Sequence, residues 1–151
     1  MNPNHGLAAL DMINAFGEIS RAEILHEVVD VLPELAPFLL QLWGNKGTSI
    51  HMNISACDWK SIVLWDGLFQ GHNLSSLLFC LGLRRALRRF ENQCVYGSVH
   101  LEYIDDVVLQ FQPHLAHEVI PAFEIALKSV NLSLNHSKCK ALIPLVLEEE
   151  G

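Results

Sequence analysis

The sequence lacks an excess of basic residues. Its 151 residues hold 10 lysines and arginines against 17 aspartates and glutamates, which gives a formal net charge of −7 at pH 7. Phosphate contacts supply much of the affinity of domains that bind DNA or RNA, so such domains usually carry a basic surplus. The charge balance therefore argues against tight, autonomous binding to nucleic acid. A disordered chain is excluded as well, because half of the residues are apolar.

The sequence also lacks zinc-ribbon cysteine spacing and a secretory leader. Its cysteines, Cys57, Cys80, Cys94 and Cys139, form no C-x-x-C pair. A chain of this length can build a core without disulfides, so we expect an intracellular, reducing compartment, either nucleus or cytoplasm. The first residues show neither the basic nor the apolar segment of a signal peptide.

No apolar run is long enough for a membrane span. The longest candidate, residues 62–83, is interrupted by Asp66 and further polar residues, whereas a span needs about 20 apolar residues. Cys80 lies inside a short apolar run, residues 77–81, which we interpret as core. We therefore expect no membrane association.

Helical and strand patterns alternate along the chain. An apolar run over residues 7–10, which ends at Asp11, is typical of a buried strand. Ser20 with Glu23 forms a capping box that opens a helix, and Pro33 ends this pattern. Further helices are predicted over residues 34–43, 74–90 and 114–130. Strands are predicted over residues 48–54, 62–65, 132–134 and 141–143, and a hairpin over 95–112. This order indicates an α+β fold, with one domain over residues 1–145 and an acidic tail over 146–151.

Three acids stand beside apolar strand sequence. Asp11 ends the first strand, and Asp105 and Asp106 occupy the tip of the predicted hairpin. Such carboxylates are costly to desolvate unless they are paired or bind a metal. If the three carboxylates converge from two neighbouring strands, they can bind two Mg²⁺ ions, and a pair of such ions supports phosphoryl transfer. The Asp–Asp pair is also a common turn dipeptide, so these two residues alone leave an ordinary turn open.

Four motifs follow one another along the chain. The first, residues 10–16, has an aspartate followed five places later by Phe16. The second, residues 68–79, contains Gln70-Gly71 and ends with Leu-Leu-Phe at 77–79. The third is Tyr-Ile-Asp-Asp at 103–106, and the fourth is Leu-Ser-Leu-Asn-His-Ser-Lys-Cys at 132–139. Together they resemble the palm of a reverse transcriptase, most closely of the non-LTR retrotransposon type. The resemblance implies a central antiparallel sheet backed by helices.

The resemblance also implies a metal-dependent polymerase site. Asp11, Asp105 and Asp106 would be the catalytic acids and would hold two Mg²⁺ ions, which Mn²⁺ can replace. The main-chain carbonyl of Met12 would add a metal ligand. The implied reaction is template-directed DNA synthesis on a primer-template with deoxynucleoside triphosphates.

Four further residues would contact the nucleotide according to the same resemblance. Phe16 would crowd the 2′ position of the sugar and favour deoxynucleotides. Gln70 and Gly71 would lie against the incoming nucleotide and the template. Lys138 would neutralise charge on the triphosphate or the leaving group.

The sequence departs from the family pattern at three places. His72 and Asn73 stand where Asp-Pro is usual, and Asn131 stands in the place of a glycine, although asparagine tolerates a left-handed conformation. Because Asp11 comes so early, we expect the fingers region to be missing, and because little sequence follows Lys140, we expect the thumb to be missing as well. We then expect the chain alone to be inactive and apolar surface to remain for self-association. The arginines at 84–89 fit either a solvated helix end or a nucleic-acid patch.

Two other interpretations remain open. The first is a catalytically inactive remnant of the same palm that acts as an interaction domain. The second is an unrelated acidic α+β binding domain whose Asp–Asp turn is accidental. Metal binding at the three acids would separate the second from the others.

Overall fold

A computed structural model describes residues 5–44, 47–55, 58–93 and 99–144. The chain forms two compact units: Met1–Ile13 with Ala86–Gly151, and Asn14–Arg85. Cys57, Cys94 and the predicted acidic tail lie outside the described residues. Within those residues, no helix has the length and apolar character that crossing a membrane requires.

The first unit is built on a four-stranded antiparallel sheet. Its strands are β1 (Gly6–Leu10), β4 (Val99–Tyr103), β5 (Asp106–Phe111) and β6 (Lys140–Leu142). Their spatial order is β4-β5-β1-β6, and each neighbouring pair is antiparallel. The expected α+β fold with an antiparallel sheet is therefore confirmed.

One face of the paired strands β1 and β5 forms core. Leu10 pairs with Val107 and Ala8 pairs with Leu109, and all four side chains are buried. Since side chains alternate across a strand, the alternation of apolar residues selects this face. Gly6 pairs with Phe111, and a Cβ on the glycine would lie 3.1 Å from the phenylalanine ring. The small residue leaves room for the large one.

Helix α5 (Ala116–Lys128) follows β5 after a 3-10 turn over Pro113–Leu115. Phe123 of α5 packs edge-on against Phe90, with ring centroids 5.3 Å apart. Asn131 follows the helix with φ of 63°, the left-handed conformation that its type tolerates. The asparagine thus fits the place where the family usually has glycine.

The second unit begins with three helices and a hairpin. Its elements are α1 (Ala15–Glu18), α2 (Arg21–Val31), α3 (Ala36–Trp43), β2 (Thr48–Ser55), β3 (Asp58–Leu64) and the first part of α4 (Ser75–Gln93). The predicted capping box is confirmed, because the Ser20 hydroxyl accepts the Glu23 N–H at 3.4 Å. Helix α2 ends at Val31, two residues before Pro33.

Arg21 ties the start of α2 to the chain around Gly67. Its Nε–H donates to the Gly67 carbonyl at 2.8 Å, and Nη1 donates to Thr48 Oγ1 at 2.9 Å. The Arg21 N–H donates to Asp66 Oδ1 at 3.0 Å, so the aspartate also caps the helix. Burial lowers the pKa of Arg21, and the charge of Asp66 opposes that shift. Arg21 is a structural cation.

The arginine cluster makes internal ion pairs. Arg84 pairs with the buried Glu27 of α2, and Arg85 pairs with Glu23 at 2.6 Å. Removing one partner of a buried pair is strongly destabilising, since it leaves an uncompensated charge. These two arginines therefore hold α2 to α4, which is neither of the roles expected from the sequence.

Three local predictions are wrong. Residues 132–134 form no strand. Leu134 pairs with another segment, but only through an isolated bridge to Met12. Strand β3 begins at Asp58 and ends before Trp65, since its partner is the long β2. Cys80 is exposed, while Leu78 beside it is buried. A helix turns about 100° per residue, so a continuous apolar run cannot face the core throughout.

Candidate functional site

Two strands that carry acids are neighbours in the sheet. The β1–β5 register ends with Leu10 opposite Val107, and Asp11 and Asp106 are the residues next to this last pair in their chains. Because side chains alternate, both acids lie on the face opposite the buried Leu10 and Val107. Two acids of like charge at the same end of neighbouring strands repel each other, so this end of the sheet favours a cation.

Asp105 lies in the tight turn between β4 and β5. Tyr103 pairs with Asp106, which leaves Ile104 and Asp105 as the two turn residues. Ile104 has φ of 58°, an unusual conformation for a β-branched side chain. Such strain costs on the order of 1–3 kcal/mol and concentrates at functional sites. Ile104 is the first central residue of a two-residue hairpin turn, a position where both common hairpin turn types require a positive φ.

The negative charge of the Asp11 carboxylate has an ion pair, but one of its oxygens lacks a hydrogen bond within the described part of the chain. Its Oδ2 atom is shielded from solvent and has no hydrogen-bond partner among the described residues, although 40% of the side chain is exposed. Lys138 Nζ lies 3.7 Å from this oxygen, which is an ion pair and not a hydrogen bond. A shielded carboxylate oxygen of this kind suits a cationic ligand.

The donor set suits a hard divalent cation. Asp11, Asp105 and Asp106 offer carboxylate oxygens, which are the ligands that Mg²⁺ prefers. Met12 follows at a buried position, where its main chain bridges to Leu134. Within the described residues, no group of three or more His, Cys, Asp or Glu side chains is arranged to hold a metal ion. The acids therefore stand at one end of the sheet without forming a closed cluster.

Phe16, Gln70 and Gly71 belong to the second unit. Phe16 is half-buried and stacks on the buried Phe79, with ring centroids 4.7 Å apart and planes at 19°. Gln70 and Gly71 are the central residues of a turn in which the His72 N–H donates to the Phe69 carbonyl at 3.3 Å. Gly71 has φ of 85°, as the third residue of a type II turn requires.

Main-chain hydrogen bonds attach this turn to the segment around Phe16. The Leu68 N–H donates to the Phe16 carbonyl at 2.5 Å, and the Gly67 N–H donates to the Ile19 carbonyl at 2.9 Å. The Ser75 hydroxyl donates to the Phe69 carbonyl at 2.6 Å at the start of α4. The second unit thereby fixes Phe16 relative to the Gln70–Gly71 turn.

His72 accommodates the departure from the family's usual Asp-Pro. Its Nδ1 accepts the Leu74 N–H at 3.3 Å, two residues ahead. An aspartate commonly makes this same bond to a main-chain N–H two residues on. The turn is therefore formed with histidine in the aspartate's place and without the proline.

Sequence reasoning missed two residues that contact Asp11. The Asn135 N–H donates to the Asp11 carbonyl at 2.8 Å, and the Asp11 N–H donates to Cys139 Sγ at 3.4 Å. Both residues stand in the fourth motif, but about 125 residues along the chain separate them from Asp11. No local spacing signals such a contact.

The antiparallel sheet and its helices form a polymerase palm-like fold. A sequence model of the family described as reverse transcriptase (RNA-dependent DNA polymerase) matches residues 2–146. The chain belongs to this family, as its four motifs indicated. Comparison with functionally curated proteins gives no match.

Solved structures show the same fold. Apo telomerase from Candida tropicalis superposes with a TM-score of 0.63 at 12% identity, covering 95% of this chain and 29% of that chain. Telomerase from Candida albicans, solved with a fragment of telomeric RNA, gives a TM-score of 0.58 at 11% identity, covering 93% and 27%. The chain therefore spans less than a third of the length of these structures.

Proposed function

We propose that this chain is the palm of an enzyme that performs template-directed DNA synthesis. A primer 3′-hydroxyl would attack the α-phosphate of a deoxynucleoside triphosphate, forming the new phosphodiester and releasing pyrophosphate. The proposal rests on Asp11 and Asp106, which adjoin the last residue pair of the neighbouring strands β1 and β5, and on Asp105 in the turn that precedes β5. Reactions of this kind depend on positioning and on neutralising developing charge.

The metal ligands would be Asp11, Asp105, Asp106 and the main-chain carbonyl of Met12. Two Mg²⁺ ions, or Mn²⁺ in their place, would supply Lewis-acid stabilisation of the attacking and leaving oxygens when bound. The shielded Oδ2 of Asp11 supports this assignment, because it has no hydrogen-bond partner among the described residues. The protein would contribute by holding the negatively charged carboxylates at the same end of the sheet.

The remaining residues would serve the nucleotide. Lys138, with 69% of its side chain exposed beside Asp11, would neutralise the triphosphate or the pyrophosphate. Phe16 would select deoxynucleotides by excluding a 2′-hydroxyl. Gln70 and Gly71, in their exposed turn, would contact nucleotide and template. With a net charge of −7, we expect this chain by itself to bind a primer-template weakly.

The test is Mn²⁺ binding, measured by paramagnetic relaxation of solvent protons with and without a deoxynucleoside triphosphate. Four proteins are compared: the wild type, Asp105→Asn, Asp11→Asn and the control Asp58→Asn, which removes an exposed acid from β3. We expect binding that tightens with the nucleotide, that is lost in the first two variants and that is unchanged in the control.

Equal binding by all four proteins would overturn the site assignment. The absence of specific binding in the wild type would favour an inactive palm. The assay does not require the protein to bind a primer-template, so weak primer-template binding does not obscure either outcome.

A second candidate function is self-association through the hairpin β2–β3. Its two strands pair with each other in a separate two-stranded sheet, and both present large exposed apolar side chains. Examples are Ile54, Trp59 and Ile62, which are 54%, 65% and 45% exposed. An isolated hairpin is marginally stable in water, and its unpaired edges are templates for another strand.

Sedimentation velocity over a range of protein concentrations tests this second function. We expect a wild-type dimer that Trp59→Lys converts to monomer, while the control Phe38→Lys, on an exposed position of α3, leaves it intact. A monomer at all concentrations would contradict self-association.

A further inference from the structure

The main chain of Asp11 lies just past the end of a strand pairing. Strand β1 pairs with β6 through Leu7, Ala8 and Ala9, and the last of these faces Lys140. Beyond that point the Asp11 N–H donates to Cys139 Sγ at 3.4 Å, and the thiol lies 3.7 Å from the Asp11 carbonyl oxygen. The Cys139 side chain thus accepts a hydrogen bond from Asp11 just past the last main-chain pair of β1 and β6.

Cys139 is itself held by the turn that precedes it. The Asn135 carbonyl accepts the Lys138 N–H at 2.9 Å and the Cys139 N–H at 3.1 Å. The Ser137 hydroxyl donates to Asn135 Oδ1 at 2.7 Å, and the Asn135 N–H donates to the Asp11 carbonyl at 2.8 Å. The sulfur therefore sits on a fixed main chain, which in turn is bonded to Asp11.

The half-buried thiol also borders a small cavity of the first unit. The cavity has a volume of about 170 Å³, and Leu10, Leu134 and Cys139 contribute to its lining. Truncating the cysteine would enlarge this space and leave the Asp11 N–H without its partner. Leaving a half-buried donor unpaired costs more than an average hydrogen bond contributes.

We propose that Cys139 is a positioning residue that fixes the main chain of Asp11 and thereby the direction of its carboxylate. The role of Asp11 as a metal ligand rests on the function proposed above, but the contact with Cys139 does not. Lys138 and Cys139 are adjacent in sequence and act on different parts of Asp11. The lysine faces the carboxylate, and the cysteine holds the main chain.

Two substitutions separate this contact from simple packing. Cys139→Ala removes both the acceptor and the donor, whereas Cys139→Ser keeps a hydroxyl that can accept and donate in the same direction. The matched control is Cys80→Ala, which truncates an exposed cysteine on α4 in the second unit. Thermal unfolding of all four proteins checks that the fold is retained.

The first measurement is hydrogen exchange of the Asp11 amide, followed by NMR on the intact chain without metal. We expect Cys139→Ala to accelerate this exchange roughly tenfold, on the order of the loss of one hydrogen bond. Cys139→Ser should restore most of the protection, and Cys80→Ala should leave it unchanged. Equal exchange rates in the wild type and Cys139→Ala would overturn the proposal.

The second measurement is the Mn²⁺ affinity of the same proteins. We expect it to fall roughly tenfold in Cys139→Ala and to recover in Cys139→Ser. If the wild type binds no Mn²⁺ while its Asp11 amide depends on Cys139, the proposed function fails and the positioning contact stands. If Mn²⁺ binds and neither exchange nor affinity responds to Cys139→Ala, the proposed function survives and the positioning role is wrong.

Discussion

Lys138 Nζ lies 3.7 Å from Oδ2 of Asp11, an oxygen that is shielded from solvent and has no hydrogen-bond partner among the described residues. Among the described residues, the lysine forms an ion pair with a carboxylate at the same end of the sheet as Asp106. If the acids bind a metal ion as proposed, a lysine at this place would both stabilise the acids and compete with that ion. The lysine lies on an exposed turn, so its side chain can move away when another cation binds.

The first prediction concerns this competition. Lys138→Gln should tighten Mn²⁺ binding about fivefold in the absence of nucleotide, because an exposed pair near 4 Å contributes roughly 1 kcal/mol. With a deoxynucleoside triphosphate present, the same variant should bind nucleotide more weakly, since a phosphate contact is lost. Mn²⁺ titrations with and without nucleotide measure both effects.

The control for this prediction is Lys128→Gln. Lys128 pairs with Glu124 at 3.3 Å on α5, so the variant removes one surface cation of the same kind. Weaker Mn²⁺ binding by Lys138→Gln alone would show that the lysine does not compete at Asp11.

The second prediction concerns the strained turn at Ile104. Its φ of 58° costs about 1–2 kcal/mol for an ordinary residue, whereas asparagine tolerates this region. Ile104→Asn should therefore raise the free energy of unfolding by about 1 kcal/mol. Urea denaturation measures the change, with Ile143→Asn at an exposed position as the control. A loss of stability specific to Ile104→Asn would mean that the isoleucine side chain contributes more by packing than its conformation costs.

The third prediction compares two glycines of one loop. Both have positive φ, of 78° at Gly67 and 85° at Gly71. A Cβ at Gly67 would collide with the Gly17 carbonyl, whereas a Cβ at Gly71 would meet nothing within 4 Å. Gly71→Ala should cost about 1 kcal/mol of unfolding free energy, and Gly67→Ala at least about 3 kcal/mol.

Denaturation and nucleotide binding together check this third prediction. Gly71→Ala should keep the fold while it alters the exposed turn for which a nucleotide contact is proposed. Similar stability losses in the two variants would contradict the packing of Gly67 against Gly17.

The fourth prediction concerns sugar selection at Phe16. Phe16→Ala removes the ring that is proposed to exclude a 2′-hydroxyl, so the preference for a deoxynucleotide over the matching ribonucleotide should fall roughly tenfold. The loss of stacking on Phe79 should cost about 1 kcal/mol of stability as well. Metal-dependent affinities for dGTP and GTP measure the preference, with the exposed Phe38→Ala as the control. An unchanged ratio would remove Phe16 from the proposed site.

Much of the fold is predictable from local pattern. The Ser20 capping box, the strand before Asp11 and the turn at Gly71 each depend on residues within a few positions of one another. Short-range signals of this kind are what sequence reading detects best. Predicted strand boundaries are wrong where a strand's length depends on its pairing partner. Strand β3 starts four residues earlier than its apolar pattern because β2 extends alongside it.

Some residues of the candidate site are likewise recognisable from the sequence, whereas other contacts are not. Asp11, Asp105 and Asp106 are recognisable because acids at strand ends are chemically conspicuous and the motifs follow a known order. The roles of the arginines at 84 and 85 are not predictable, because a charged helix face looks alike whether it meets solvent or the acids of α2. Cys139 belongs to the fourth motif, but nothing in that motif indicates its contact, since its partner is the main chain of a residue 128 positions away.

The sequence by itself determined the residue types, the order of helices and strands, and the membership in the reverse transcriptase family. Tertiary structure alone decided that Asp11 and Asp106 adjoin the same end of two paired strands, that Ile104 has a positive φ and that Asp11 Oδ2 has no hydrogen-bond partner among the described residues. The reason is physical: local preference acts over a few residues, whereas register, burial and the pairing of charges depend on which distant segments pack together.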